Sequence, residues 1–291
     1  MMNRKKKYYL CLAFISFIVI AGIGTYLFID SRNSRQEMDE LASMAYSSLE
    51  QSDDAMEDSS AASSSDIDLN DSNTSASEAT SEATIEETSE KTSNSSNIDI
   101  VSLQNVNPDI FAWINIPGTL IDYPIVQHPT DDTYYLSHGP EGMNSSHGCP
   151  FIESCDSISL QDFNTVVYGH NMNDGSMFAG LHKFEDKDFL ESHREITIST
   201  ADHEMSYRIF AAVMYSDTYI PYYYDDLVEA DRLAFLDSLS TDCVSSRSII
   251  LDDEKVGADD HIITLSTCDR KLRDNRFIVV AVLKKIDGVD V

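Results

Sequence analysis

The chain has 291 residues, a formal net charge of −30 and an isoelectric point near 4.3. This strongly acidic balance excludes a typical nucleic-acid-binding protein, which needs a basic face for the phosphate backbone. The hydrophobic content of 42%, with 12 Phe and 14 Tyr, is sufficient for one or two domains with a core of their own.

A membrane anchor is predicted at the N-terminus. Residues 1–7 are basic, and residues 8–29 form an uncharged, mostly apolar stretch that is long enough to span a bilayer. The basic flank predicts a cytoplasmic N-terminus, with the remainder of the chain outside the cell. A cleaved signal peptide is the competing interpretation, but the stretch is long for one and no clean cleavage site follows it.

Residues 30–100 are predicted to be an acidic, disordered stalk. Residues 33–50 are compatible with a short helix, although Leu41, Met44 and Leu49 give only a faint apolar stripe. Residues 51–98 contain 19 Ser and Thr but no Pro, Gly or aromatic residue, and such a composition cannot offset the entropy of ordering. A coil of about 65 residues would have an r.m.s. reach of roughly 45 Å, which suggests a spacer between the membrane and a catalytic domain.

The folded domain is predicted to occupy residues 101–291, and its first half favours strands. Residues 107–109 signal a turn or a helix start. Apolar runs at 111–116 and 121–126 flank a Pro-Gly-Thr turn, a short strand ends at Ile152, and a further strand covers 163–170.

The second half mixes helices and strands. Two short helices are expected within residues 171–194, and strands at 195–200 and 205–216. Residues 225–242 form the best helix pattern, with acidic residues in its first turn and an apolar stripe of Leu227, Leu233, Phe235, Leu236 and Leu239.

The chemistry is concentrated in residues 261–280, HIITLSTCDRKLRDNRFIVV. An apolar run leads into Cys268, a charged loop follows, and Arg276 opens a second apolar run. Two strands joined by a polar turn fit this pattern, because both runs are short and rich in β-branched residues. A thiol and a guanidinium would then lie side by side at one edge of a sheet.

A cysteine enzyme also needs a base and a group that stabilises an oxyanion. His170 is the candidate base, because it follows a predicted strand in the run TVVYGHN. Taken singly, each residue has an ordinary explanation: a lone Cys is usually a small buried apolar residue, and an Arg at a strand start is often only a surface charge. Arg270 and Arg273 compete with Arg276 but fall inside the loop.

The order of these motifs resembles the sortases, membrane-anchored cysteine transpeptidases of Gram-positive bacteria. The resemblance rests on an N-terminal anchor, YGH, TLSTC and an Arg on the next strand, and it covers roughly residues 101–291. The stretch DIFAWINIPGTLIDYPIVQ and the long helix before the Cys strand resemble class B in particular.

The resemblance implies a mainly β fold, a mostly antiparallel sortase-like β-barrel with peripheral helices, behind the membrane helix and the stalk. It implies that Cys268 is the nucleophile, that His170 transfers protons and that Arg276 stabilises the oxyanion. By the same analogy Tyr168, Ser266, Thr267 and Asp269 are neighbours of bound substrate, although polar residues are common at strand ends for purely structural reasons.

The implied substrates are secreted proteins with a C-terminal sorting pentapeptide, cleaved after Thr and joined to a peptidoglycan amine. A pilin-polymerising sortase, a plain cysteine endopeptidase and a catalytically silent barrel that only binds wall peptides are the alternatives. No metal or cofactor is required. The implied location is the cell membrane, with the catalytic domain outside.

The five cysteines do not look like a disulfide framework. Cys11 lies in the predicted anchor, and if Cys268 stays a free thiol, three remain, which is an odd number. A bridge between Cys149 and Cys155 is one open possibility. No Cys or His spacing is typical of zinc.

Overall fold

A computed structural model describes residues 22, 24–26, 28–46, 98–243, 245–269 and 274–291. Most of the predicted membrane segment, 8–29, lies outside these residues. Within the described part of the chain, no helix is both long enough and apolar enough to cross a membrane.

In the described part of the chain, nine strands form one sheet. Their bounds are β1 Ile110–Asn115, β2 Asp122–Val126, β3 Asn164–Tyr168, β4 Glu195–Thr200, β5 Glu204–Tyr215, β6 Ile249–Ile250, β7 Ile262–Cys268, β8 Arg276–Ile286 and β9 Val289–Asp290. The order across the sheet is β2-β1-β4-β5-β8-β7-β3, with β6 paired to β5 and β9 paired to β8. The strands predicted from the sequence are therefore present, most within two residues of their expected bounds.

The sheet is almost wholly antiparallel and curls back on itself. Only β3 and β7 pair in parallel. The two outermost strands of the main order, β2 and β3, are joined through Phe151, which bridges Val126 on one side and Tyr168 on the other. The mainly β, barrel-like architecture is confirmed, and the short strand expected to end at Ile152 is reduced to this bridge.

Helices surround the sheet. They are α1 over residues 28–46, α2 Ile100–Val106, α3 Lys187–Ser192, α4 Ile220–Tyr223 and α5 Glu229–Thr241, with 3₁₀ segments η1 Tyr134–Leu136 and η2 Phe178–Glu185. Segments η2 and α3 are the two short helices expected after residue 170. Residues 107–109 follow the end of α2 rather than starting a helix.

Helix α5 begins four residues later than predicted, and its buried stripe is narrower. Leu227 precedes the helix and is 89% exposed, and Leu233 is also exposed. Phe235 and Leu239 are buried against the outer face of the sheet. The predicted apolar stripe is therefore only partly a packing surface.

The core has three parts, one for each covering layer. The concave face of the sheet encloses η2 and α3, with residues such as Leu181, Phe184 and Leu190 fully buried. Helices α4 and α5 cover the convex face of β5, β8, β7 and β3. Helices α1 and α2 pack around Trp113. Each layer removes apolar area from water and so fixes one region of the sheet.

Helix α1 is part of the folded domain, although the sequence suggested a stalk from residue 30. Its buried side is formed by Ser34, Met38, Leu41 and Ala45, spaced by three or four residues. The amide of Asp99 donates to the carbonyl of Ala45 at 3.0 Å. The domain therefore includes residues before 101, and the remaining stalk residues, 47–97, lie outside the described part of the chain.

Replacing Leu41 by Ala should therefore destabilise the whole domain. Leu41 is fully buried, and removal of a buried Leu side chain typically costs about 2–5 kcal/mol. The matched control is Met44→Ala on the outer side of α1, where the change should be below about 0.5 kcal/mol. Urea denaturation of the full chain measures both, and equal midpoints for the two variants would contradict the docking of α1.

Candidate active site

The three predicted catalytic residues lie in a row across one edge of the sheet. Cys268 is the last residue of β7 and is exposed, and its partner in the register on β8 is Arg276. On the other side, β3 runs parallel to β7 with Tyr168 opposite Ser266. The contact with β7 continues to Gly169, whose amide donates to the carbonyl of Ser266 at 3.0 Å, and His170 is the next residue. Cys268 therefore lies on the strand between Arg276 and the chain that carries His170, with neighbouring strands roughly 4.8 Å apart.

His170 is held by backbone contacts. Its Nε2 lies 2.8 Å from the carbonyl oxygen of Leu136, and its own carbonyl accepts from the amide of Phe178 at 2.9 Å. A carbonyl only accepts hydrogen bonds, so Nε2 carries the proton in this contact. Nδ1 is then the nitrogen at which a proton can be gained and lost.

Gly148 makes room for this imidazole. Its φ angle is +62°, and a Cβ at this position would come within 2.4 Å of the carbonyl oxygen of Tyr135 and 3.2 Å of Cδ2 of His170. Only glycine allows the backbone to come this close to the ring at this φ angle. The imidazole therefore has a backbone wall on this side.

A pocket of about 170 Å³ lies beside Arg276, between the convex face of the sheet and the chain after β5. Residues Tyr168, Ser266 and Ile278 line its sheet side, and residues 217–220 line the other. Ser266 and Cys268 share one face of β7, because side chains alternate along a strand. Burial raises the pKa of Tyr168 well above its usual value, so its phenol is neutral at physiological pH.

The other two predicted substrate neighbours do not line this pocket. Thr267 points to the opposite face, where its hydroxyl donates to the carbonyl of Gly169 at 2.7 Å. Asp269 is only 4% exposed and lies 3.0 Å from Nη2 of Arg247. Their contacts hold the end of β7 against its neighbours.

A polar network that the sequence did not reveal surrounds the backbone of Cys268. The side-chain amide of Asn171 donates to the Cys268 carbonyl at 2.7 Å, and Nε2 of His182 lies 3.4 Å from the same oxygen. Nδ1 of His182 lies 2.7 Å from Oε1 of Glu185, which also accepts from Arg247 at 2.7 Å. A second pocket, of about 400 Å³, opens onto these residues.

Arg247 joins this network to the turn after the cysteine. It bridges Glu185 and Asp269, and the hydrogen bond to Asp269, followed by those to Glu185, raises the pKa of its guanidinium above the usual value. Atoms of His182, Glu185 and Asp269 lie within 4.8 Å of one another, as metal ligands do. Arg247 already pairs with both carboxylates, so the chain itself supplies a cation to this cluster.

The other cysteines in the described part of the chain are free thiols. Cys149 is buried and Cys155 is exposed, and both are free, as is Cys243. Burial raises the pKa of the Cys149 thiol well above its usual value. The open possibility of a bond between Cys149 and Cys155 is therefore not realised in the structure.

Comparison with known proteins agrees with this geometry. A family model, that of the sortase domain, matches residues 114–284 of the sequence. Sortase B of Listeria monocytogenes is 37% identical over 171 residues, which cover 59% of this chain and 67% of the relative. Sortase B of Staphylococcus aureus is 30% identical over 189 residues, which cover 64% and 74%.

Solved structures give the same result. Sortase B of Clostridium perfringens superposes with a TM-score of 0.57 at 28% identity, covering 64% of this chain and 99% of that one. A Staphylococcus aureus sortase B–substrate complex gives 0.56 at 28% identity, covering 66% and 85%.

The chain belongs to the sortase family of cysteine transpeptidases. Its relatives and structural neighbours are sortases B, and the class B resemblance of residues 109–127 is confirmed.

Replacing Arg247 by Ala should destabilise the turn that follows Cys268. The change removes the guanidinium that faces the buried carboxylate of Asp269, at a cost of about 1–3 kcal/mol. The double variant Arg247→Ala/Asp269→Asn should regain part of this stability, since the buried charge is then gone. Lys187→Ala, a control at an exposed ion pair on α3, should cost below about 1 kcal/mol. The free energies of unfolding are measured by urea denaturation. A double variant that is less stable than Arg247→Ala would contradict this interpretation.

Proposed function

We propose that Cys268, His170 and Arg276 are the catalytic residues of a membrane-anchored transpeptidase that cleaves a sorting signal after Thr. The observation that carries this proposal is that Cys268 pairs with Arg276 across β7 and β8, while His170 follows β3, the parallel neighbour of β7. A nucleophile flanked by a proton carrier and a fixed cation is the minimum set for acyl transfer.

The reaction has two acyl-transfer steps. In the first, His170 takes the proton of the Cys268 thiol, the sulfur attacks the carbonyl carbon of Thr, and the guanidinium of Arg276 stabilises the negative oxygen that forms. The C–N bond then breaks, the leaving amine takes the proton from His170, and a thioacyl-enzyme remains. In the second, an amine attacks the thioester carbonyl and gives its proton to His170. The C–S bond breaks, an amide forms, and His170 returns the proton to the sulfur, which restores the thiol.

The pocket beside Arg276 is the proposed binding site for the sorting pentapeptide. It is open to Ser266 and Tyr168, whose polar atoms can orient a peptide backbone, and it lies on the same face of β7 as Cys268. One structural neighbour was solved as a sortase B–substrate complex. Sorting signals of the general form Asn/Ser/Pro-Pro-x-Thr-Gly/Asn on secreted proteins are the proposed substrates.

A peptidoglycan amine is the proposed second substrate. The pocket lined by Asn171, His182, Glu185 and Asp269 approaches Cys268 from the other side of the sheet edge, so donor and acceptor have separate routes to the thioester. Residues 8–29 would anchor the chain in the cell membrane, with the catalytic domain outside. Both assignments follow from the family and from the sequence pattern.

The first test measures turnover by the full chain in detergent. A panel of sorting-type peptides is incubated with and without short Gly or diamino-acid acceptors, and mass spectrometry identifies the products. Cys268-dependent cleavage after Thr with amine-ligated product is expected, and Cys268→Ala should form no thioacyl adduct. Product acid alone, in the presence of every amine, would favour an endopeptidase. Binding without turnover by the wild type would favour a binding protein.

Arg276 should affect the chemical step more than binding. Loss of one oxyanion-stabilising group typically lowers kcat by about 10²–10³-fold, and this reduction is expected for Arg276→Ala. Arg208→Ala, on β5 and remote from Cys268, is the matched control and should retain wild-type kcat. An Arg276→Ala enzyme with unchanged kcat would remove Arg276 from the catalytic set.

A further inference from the structure

The residues that follow His170 form a short hairpin that also reaches Cys268. Asn171 and Met177 pair across its base, and the amide of Phe178 donates to the carbonyl of His170 at 2.9 Å. Because Asn171 donates to the carbonyl of Cys268 at 2.7 Å, the base of this hairpin joins the imidazole-bearing residue to the thiol-bearing one. Movement of the hairpin would therefore move His170 relative to Cys268.

Asp174 fixes the tip of this hairpin. Its Oδ1 accepts from the amide and the hydroxyl of Ser176, at 3.1 and 2.6 Å. Its Oδ2 lies 3.2 Å from Nε2 of His147, 2.9 Å from Nη2 of Arg35 and 3.2 Å from Oγ of Ser31. One carboxylate thus connects the hairpin, the segment before Gly148, and helix α1.

The segment that Asp174 contacts is also the one that surrounds the imidazole. His147 is almost fully buried, and the next residue, Gly148, backs the ring of His170. The same segment begins near Leu136, whose carbonyl lies against Nε2 of the ring. The contact between Asp174 and His147 therefore ties together the two stretches of chain between which the imidazole lies.

Helix α1 supports this segment from outside. Oγ of Ser34 lies 2.7 Å from Oγ of Ser145 in a buried contact, and the amide of Glu141 donates to Glu37 at 3.1 Å. Two successive turns of α1, residues 31–37, are thus in contact with the surroundings of His170, although α1 contributes no residue to the site.

We propose that Asp174 is a positioning residue for His170, with helix α1 as its outer support. It holds the hairpin 171–177 and the segment 136–148 at a fixed separation around the imidazole. The inference rests on the proposed function, since it assigns the proton transfers to His170. It adds a residue that neither the motifs nor the row of catalytic residues indicates.

The hydrogen bonds around Asp174 favour the charged form of its carboxylate. Burial alone would raise the pKa of Asp174, but hydrogen bonds from Ser176, Arg35 and His147 outweigh it and lower the pKa below its usual value. Arg35 is more than half exposed, so its ion pair is worth little alone. Removal of Asp174 should therefore have a larger effect than removal of Arg35.

The experiment compares variants of the full chain with the peptide and amine that the wild type uses. Asp174→Ala should lower kcat roughly tenfold, the scale of a small misplacement of a catalytic group, and leave KM for the peptide within about twofold. Asp174→Asn keeps an oxygen that can accept from Ser176, and its kcat should lie between Asp174→Ala and the wild type. Arg35→Ala should lower kcat about threefold, because it removes only the hydrogen bond from α1 to Asp174 and leaves the carboxylate in place.

Matched controls separate positioning from general damage. Asp188→Asn on α3 removes an exposed carboxylate, and Arg32→Ala removes an exposed guanidinium one turn from Arg35 on α1. Both should retain wild-type kcat. If Asp174→Ala does not fold, Asp174→Asn and Arg35→Ala carry the test.

Two outcomes would overturn the inference. One is a wild-type kcat in the folded Asp174 and Arg35 variants; the other is a loss of kcat/KM that arises only from a higher KM. An inactive wild type would instead reject the proposed function, so the two failures are distinguishable.

Discussion

The pairing of β7 with both β3 and β8 is the constraint on which the site depends. A parallel neighbour on one side and an antiparallel neighbour on the other bring three distant chain positions to one edge. A shift of one residue in either register would turn Cys268 to the opposite face from its partner. Thr267 helps to fix this register, since its hydroxyl donates to the carbonyl of Gly169, the residue that follows β3. Backbone pairing thus fixes the positions from which the catalytic side chains project.

Sequence reasoning identified the parts of the molecule with short-range patterns. Strands with continuous apolar runs, the helices after residue 170 and the run from Ser266 to Cys268 can be read locally. The family motifs supplied the order of His, Cys and Arg. The substrate neighbours were harder, because Tyr168 and Thr267 look alike in sequence as polar residues at strand ends. Only the alternation of faces, set by the register, places Tyr168 in the pocket and Thr267 against β3.

The features that sequence reasoning missed involve long-range polar contacts or weakly apolar surfaces. The buried side of α1 contains Ser34 and Ala45, so its hydropathy hardly differs from that of the acidic segment that follows. Arg247 lies in a loop with no motif, and its importance arises from two carboxylates far away in the chain. For α5, sequence reasoning instead predicted too much burial: Leu227 is apolar and belongs to the predicted stripe, yet it is exposed.

The hydrogen bond between Asp99 and Ala45 changes how the predicted acidic stalk is attached to the domain. It brings the described residues on either side of 47–97 close together, so both ends of that segment are attached at one place on the folded domain. The entropy of closing such a loop varies only with the logarithm of its length, and halving it changes the closure free energy by about 0.6 kcal/mol. The segment can therefore lengthen, shorten or change composition during evolution while the distance from α1 to the catalytic cysteine stays the same.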